Sequence, residues 1–540
     1  MANNLRNIAI IAHVDHGKTT LVDKLLSQSQ TFDDRFKATD RMMDSNDLEK
    51  ERGITISSKN TAIKWGDYRI NIVDTPGHAD FGGEVERVLS MVDSVLLLVD
   101  ASDGPMPQTR FVTKKAFEQG LNPIVVINKI DRDSSRPDWV IDQVFELFDQ
   151  LGATEEQLDF PVIYASALGG YASEDDTVRE GDMTPMFELI VEKAPAPKVD
   201  IDGPFQMQIT SLDYSSFVGA IGIGRIERGV AKKNMQNILI SPDGTERKVK
   251  IVQLLGFNGL ERHDVSSANA GDIVGVVGIE NISISDTICD VTKVEALPPL
   301  SVDEPTVSMA FRVNDSPFAG LDGKYITSRN IRERLDKELI YNVALRVENT
   351  KDSSEFVVSG RGELHLSILI ETMRREGFEL SVGRPQVILK EIDGVTCEPF
   401  EDLTVDVESV HQGSVMEKLG ERKAELSNMT PDGKGRVKLD FKIPARGLIG
   451  FRTEFLTATT GTGLMYSTFD SYKPQKDGKI GQRTNGSLIS MNQGKSVAYA
   501  IFNLQKSGKF FVGHGEDIYE GMVVGINTRD KDLVINVMKG

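Results

Sequence analysis

Asn7-Ile-Ala-Ile-Ile-Ala-His-Val-Asp-His-Gly-Lys-Thr-Thr20 is the stretch whose reading decides the fold. Ile8 to Ala12 is an apolar run of the buried-strand type, and it empties into a loop ending Gly17-Lys18-Thr19. Leu21, Leu25 and Leu26 then recur at helical spacing. Strand, loop and helix N-terminus together make a cradle for a nucleoside triphosphate. Backbone N–H groups from Asp15, His16 and Gly17 through Lys18, Thr19 and Thr20 are expected to line it. Lys18 should span the β- and γ-phosphates, and the Thr19 hydroxyl should hold Mg²⁺. The consensus for such loops begins with Gly, where this chain has Ala12.

At 540 residues the chain has room for roughly three to five domains. Its 39% hydrophobic and 26% charged residues are the balance of a globular protein with ample core. Only Cys289 and Cys397 occur, which argues against a disulfide framework and for a reducing, cytoplasmic setting. The N-terminus lacks the signs of a secretory leader, and no apolar run approaches membrane-spanning length, so no membrane partner is expected. The net charge of −19 argues against indiscriminate nucleic-acid binding. Lys473 to Gly540, however, carries four more basic than acidic residues, which suits an anionic partner as well as it suits ordinary surface scatter.

Through the first 195 residues, buried strands alternate with helical patterns, which predicts a mainly parallel α/β sheet. The strand runs are Ile8–Ala12, Arg69–Asp74, Ser94–Asp100, Pro123–Asn128 and Pro161–Ala165. In such sheets chemistry collects where strands end. Asp74-Thr-Pro-Gly-His78, Asn128-Lys-Ile-Asp131 and Ser166-Ala-Leu168 all fall at such ends. Asp74 can bind Mg²⁺ through water, and the Gly77 N–H can sense a γ-phosphate. The Asp131 carboxylate can accept from guanine N1–H and the exocyclic amine together, a pair that adenine cannot offer. Asn128 can brace that loop, Lys129 can lay its stem along the base, and backbone N–H groups around Ser166, Ala167 and Leu168 can meet guanine O6. Asn and Asp after a strand are usually turn formers. Four such elements in the right order are a different matter.

Met43-Asp-Ser-Asn-Asp-Leu-Glu-Lys-Glu-Arg-Gly-Ile-Thr55 lies between the first two elements and is charged, with little apolar periodicity. The plain reading is a solvated loop. The motifs around it favour a segment that orders when Thr55 reaches Mg²⁺ beside the γ-phosphate.

With Arg52-Gly-Ile-Thr55 and Asp74-Thr-Pro-Gly-His78, the chain resembles the translational GTPases, the group of elongation factors G and Tu. In that group the phosphate loop often begins with Ala. The resemblance implies that His78 is the catalytic histidine positioning the attacking water, with Val14 and Ile54 as an apolar gate before it. It also implies slow intrinsic hydrolysis stimulated by the ribosome, since no arginine finger can be placed in the first domain.

After Ala194-Pro-Ala-Pro-Lys198 the pattern turns to short strands and Gly-rich turns up to about Val294, predicting a closed β-barrel. Past Pro298-Pro299 come a strand at Thr306–Arg312, a helix over Thr327–Leu339, strands at Asn342–Glu348 and Glu355–Ser359, a helix over Gly362–Glu376 and a strand at Phe378–Val382. That order is the split ferredoxin-like α+β pattern. Leu364, Ile368, Leu369 and Thr372 share a helix face that reads as a core stripe. A second copy is expected from Glu398 to about Asp470, with a helix over Ser414–Leu426. His365 and His411 lack the neighbours of a metal site and read as structural. Lys479–Gly540 is strand-like, with Phe510, Phe511 and Tyr519 amid basic residues, a mixture found both in RNA-binding faces and in ordinary cores.

Only about fifteen residues separate Val382 from Glu398, leaving no room for the decoding-site domain of elongation factor G. This architecture, with Ser359-Gly-Arg-Gly-Glu-Leu-His365 and Gly447-Leu-Ile-Gly-Phe-Arg452, closely resembles the BipA/TypA family of ribosome-associated GTPases over essentially the whole chain. Five domains are expected, a P-loop GTPase domain over 1–197, a β-barrel over 198–300, ferredoxin-like α+β domains over 301–390 and 391–478, and a mainly β domain over 479–540. Family members usually continue through a basic segment, so the end at Gly540, within an apolar strand pattern, suggests a truncated chain. The family implies GTP hydrolysis with Mg²⁺, with GTP and GDP as the bound nucleotides. It further implies ribosome partners (both subunits, rRNA and A-site tRNA), a monomer, and a role in large-subunit assembly and translation under cold or other stress. The alternatives are a back-translocation factor resembling LepA and a nucleotide-gated scaffold with incidental turnover.

Overall fold

The computed structural model describes residues 4–29, 31, 47–52, 55–56, 58–76, 79–215, 217–300, 304–342, 344–431, 435–478, 480 and 485–540. The first sheet holds β1 (Leu5–Ala12), β2 (Lys59–Trp65), β3 (Tyr68–Asp74), β4 (Ser94–Asp100), β5 (Asn122–Asn128), β6 (Val162–Ser166) and β7 (Tyr171–Ser173), in the order 2-3-1-4-5-6-7. The five apolar runs of the sequence form its parallel centre. Both edges are antiparallel hairpin partners, β2 on β3 and β7 on β6. Their half-polar sequences carried no strong strand signal.

Alternation along β1 explains the two covered faces. Ile8 and Ile10 pack with Leu21, Leu25 and Phe187 on one side, while Ala9 and Ile11 pack with Val85, Val88 and Val112 on the other. Each fully buried Ile or Leu stabilises the fold by about 1.5–3 kcal/mol. With both layers closed by helices, only the strand ends can present chemistry.

β2 does a second job. The Ala62 and Gly259 backbones exchange hydrogen bonds, Ala62 N–H to Gly259 O at 3.4 Å and Gly259 N–H to Ala62 O at 2.7 Å. The outer edge of the first sheet is thereby joined to a hairpin (Gln253–Asn258 with Glu261–Val265) in the next block. Buried Asn7 strengthens the junction by donating to Asp93 at 2.9 Å and to the Gly271 carbonyl at 2.9 Å.

From Gln206–Gln208 to Thr287–Asp290 the regular elements of the described residues are strands only, nine in a barrel-like sheet and two, Val230–Lys232 and Ser267–Asn269, in a separate antiparallel pair. Its hydrogen-bond path runs from Glu246–Lys250 at one end to Glu261–Val265 at the other, both rich in exposed charge. Two α+β units follow. The first has helices Ser328–Tyr341 and Glu363–Arg375 on a five-stranded sheet, close to the expected boundaries. The second differs from expectation most at its first helix. That helix, Gln412–Glu421, ends early because Lys423 turns the chain with a φ of 64°, and Glu425–Pro431 is an exposed edge strand. The described part of the last block is mainly β, with a short α-helix at Ala498–Leu504 running into a 3-10 turn at Gln505–Ser507.

The second α+β unit folds back onto the first domain, its strand Leu464–Pro474 packing against helix Pro107–Glu118 and the turn Ala79–Phe81. Tyr519 of the last block meets Phe318 edge-on, with centroids 5.0 Å apart. No helix of the described residues is long and apolar enough to cross a membrane.

Candidate active site

β1, β3, β5 and β6 all deliver polar residues to one edge of the first sheet. The loop after β1 turns through Asp15 (φ 67°) and Gly17 (φ 95°) into helix Lys18–Gln28. Gly17 is required twice over, because its φ is left-handed and an added Cβ would sit 2.5 Å from Asn128 Nδ2. No side chain caps this helix, so its first N–H groups face the loop, with the positive end of the helix dipole behind them.

Lys18 is buried and its Nζ lies 2.7 Å from Asp74 Oδ1 at the end of β3. It also donates to the Thr75 carbonyl. Thr75 in turn donates from Oγ1 to the Ile10 carbonyl at 2.7 Å, fastening the end of β3 to β1. Removing a buried ammonium from water is tolerable only beside an anion, and Asp74 is that anion here. Thr19 and Thr20, next in the same helical turn, are half-buried, and Thr55 is buried. Glu49 holds the approach to Thr55, accepting from Ile56 N–H at 2.9 Å and pairing with Lys59 at 2.7 Å.

Asn128 spends both ends of its amide on the two loops flanking it. Its Nδ2 donates to the His16 carbonyl at 2.8 Å, and its Oδ1 accepts from Ala167 N–H at 2.9 Å. The phosphate loop and the Ser166–Leu168 loop are thus fixed to each other through one side chain. Ser166 Oγ accepts from Gly169 N–H at 2.9 Å, which rounds the turn, while Leu168 stands exposed. Lys129, at a φ of 64°, pairs with Asp100 at 2.7 Å and donates to the Asp15 carbonyl. Asp131 stands exposed at the rim.

Asp100 is a residue to which the sequence reading gave no role. Burial alone would push its carboxyl up, but the Lys129 ammonium, the Ser102 amide and the charge of Lys129 hold it below the usual carboxylate range. A lone acid ending the otherwise apolar run Ser94–Asp100 was the available signal. His16 turns its ring inward, with Nδ1 3.4 Å from the Leu98 carbonyl. Burial lowers its pKa to about 4, so the ring is neutral near pH 7. His16 therefore serves the loop through its backbone.

His13 had no distant partner in the sequence. Its ring packs edge-on against Tyr466 of strand Leu464–Pro474, with centroids 4.6 Å apart, and against His16 at 5.1 Å. Burial, with Asp406 and Asp15 nearby, pushes the Tyr466 hydroxyl up to about 12. Nothing local in the sequence announces this contact. Val14 is half-buried between these residues and Asp15. Ile54, Gly77 and His78 lie outside the described residues.

The structure thus brings the phosphate loop, Asp74, Asn128, Lys129 and the Ser166–Leu168 loop to one place. Among the described residues no group of three or more His, Cys, Asp and Glu is placed to hold a metal. Thr19, Thr55 and Asp74 form a different kind of set, hard oxygens of the type Mg²⁺ takes alongside phosphate oxygens and water.

Residues 3–196 match the elongation factor Tu GTP binding domain, and 219–289 match elongation factor Tu domain 2. Residues 327–384 match elongation factor G domain III, 395–483 the elongation factor G C-terminus, and 485–540 the TypA/BipA C-terminal domain. The large ribosomal subunit assembly factor BipA of Escherichia coli is 66% identical over 540 residues, covering 100% of this chain and 89% of that protein. Its counterpart in Haemophilus influenzae is 64% identical over 537 residues, covering 99% and 87%. A crystal structure of a Thermus thermophilus protein covers 88% of this chain and 97% of its own, with a TM-score of 0.61 and 18% identity, a likeness of fold.

Proposed function

The chain belongs to the TypA/BipA family, and from that premise we propose that it hydrolyses GTP to GDP and phosphate in support of large ribosomal subunit assembly. The observation that carries the reading is Asn128, whose two hydrogen bonds join a phosphate loop to a base-reading loop. A nucleotide seated there has its phosphates at the Lys18 helix N-terminus and its base against Asp131 and the Ser166–Leu168 loop.

Each side chain then has a task. Lys18 leaves its single-carboxylate pairing with Asp74 for the β- and γ-phosphates, whose charge is larger. The loop N–H groups from Asp15 to Thr20 hold the charge that develops as the γ-phosphoryl group departs. Thr19, Thr55 and Asp74 would hold Mg²⁺, which neutralises phosphate charge when bound. Asp131 accepts the guanine N1–H and amine, and Lys129, steadied by Asp100, covers the base. Ala167 N–H is already spent on Asn128, so on this loop the neighbouring Leu168 N–H is left to meet guanine O6. His78 orients the attacking water behind the apolar gate of Val14 and Ile54. Oriented water, correct geometry and preset dipoles are what phosphoryl transfer needs from a protein.

The five-domain division set out above accompanies this proposal, with a cytoplasmic monomer whose distal modules meet the ribosome, its rRNA and A-site tRNA. Stimulation of hydrolysis by the ribosome, and a role in translation under cold or other stress, belong to the same reading. Phosphate release from GTP, measured with and without ribosomes, together with co-sedimentation in GTP, GDP and no nucleotide, tests it. We expect ribosome-stimulated turnover and nucleotide-dependent binding. Preference for ATP, or ribosome binding in no nucleotide state, overturns it.

A further inference from the structure

Helix Glu363–Arg375 of the first α+β unit is held along its whole length by the first domain. An N-cap side chain normally accepts from the second or third helical N–H, but this helix begins after Gly362, which has no side chain to give. Asp80 supplies the missing cap from the turn Ala79–Phe81. Its Oδ2 accepts from Leu364 N–H at 3.0 Å and from His365 N–H at 3.2 Å. The carboxylate also sits at the positive end of the helix dipole. A Cβ at position 362 would run into that carboxylate, so glycine is what lets it approach.

At the middle of the helix, buried Ile368 packs with Leu48 and Phe81, and Leu364 and Ile56 lie against the same cluster. The stripe that the sequence presented as core is in part an interface to the first domain. At the far end Arg375 forks onto Glu51, with Nη1 donating to Oε1 at 2.9 Å and Nη2 to Oε2 at 2.5 Å. One helix, about 20 Å long, therefore grips two separate parts of the first domain. Glu51, Leu48 and Ile56 bracket Thr55, and Asp80 follows Asp74 closely in the chain. The stretch beginning at Asp74 is anchored at its start by Lys18 and at Asp80 by a different domain.

We propose that helix Glu363–Arg375 is a positioning element for hydrolysis supplied in cis, and that Asp80 is its principal positioning residue. The inference rests on the reading of the first domain as a GTPase. Asp80 touches no nucleotide; it sets where the Thr55 and Asp74 segments stand relative to each other. By linkage, a nucleotide that moves either segment must alter the hold on the helix.

The test uses the full chain with ribosomes. D80A should lower kcat for GTP about tenfold, the scale of a small misplacement, while affinity for GDP stays within about threefold. D80N keeps the shape and separates loss of charge from loss of fold. E51R and R375E should each lower kcat, and the double variant E51R/R375E should recover most of it. Hydrogen exchange at Leu364 and His365 amides should be about tenfold slower with a non-hydrolysable GTP analogue than with GDP. Equal exchange in the two states, or an unchanged kcat in D80A and in both charge reversals, overturns the proposal and leaves a purely structural cap. Absence of GTP hydrolysis in the parent chain with ribosomes indicts the functional reading instead.

Discussion

Tyr466 and His13 meet edge to face, ring planes at 81°, although one lies in the second α+β unit and the other in the phosphate loop. The contact makes the loop's rear wall part of an interdomain surface. An aromatic pair of this kind is worth about 0.5–1.5 kcal/mol beyond its area. Tyr466→Ala should therefore speed release of a fluorescent GDP analogue by roughly 2–10-fold, whereas Tyr466→Phe, which keeps the ring, should leave it unchanged. Stopped-flow dissociation measures both, and equal rates for alanine and wild type would show that the loop does not feel this wall.

Asn128→Ala removes both bonds of the brace at once. The Ala167 N–H and the His16 carbonyl then lose buried partners, at about 1–3 kcal/mol each. GDP affinity should fall at least tenfold by titration calorimetry. The fold should survive, because the sheet pairing of β5 depends on backbone bonds.

Asp131→Asn reverses one hydrogen-bonding role at the rim without moving anything buried. Preference should shift from guanine toward xanthine nucleotides, read from competition between GDP and XDP. Retained GDP selectivity in that variant would remove Asp131 from base recognition.

His16 links stability to pH. The folded ring titrates near 4 because it is buried, while the unfolded ring titrates near 6.5. Below pH 6.5 the unfolded chain takes up a proton that the folded chain refuses, so stability falls from there down to about pH 4 and is fully present above 6.5. The whole loss is about 3 kcal/mol from this residue. Melting temperatures across pH 7 to 4.5 should drop less in His16→Asn than in the parent chain, each measured against its own value at pH 7.

The placement of the candidate site residues was legible where it is local. Gly17-Lys18-Thr19 and Asn128-Lys-Ile-Asp131 declare themselves because each sits within one strand end and the turn after it. What stayed hidden is the set of contacts across domains. Asp80 reads as one more acid in a charged loop until helix Glu363–Arg375 arrives against it, and Leu364 and Ile368 read as core because an interface stripe has the same period. The helix expected to run on past Glu421 to Leu426 shows the same limit at short range. A left-handed turn at Lys423 follows from packing, and lysine has no preference that would have disclosed it.

The stitch between Ala62 and Gly259 has a practical consequence. A strand at the rim of a sheet leaves a row of N–H and C=O groups able to recruit any passing extended peptide. In this protein part of that row is sheltered by its own neighbour downstream, so the opening 197 residues expressed without the module after them would carry a sticky border. Such a fragment should self-associate where the longer chain stays dispersed, and studies of isolated nucleotide turnover are better begun from a piece that keeps Gly259.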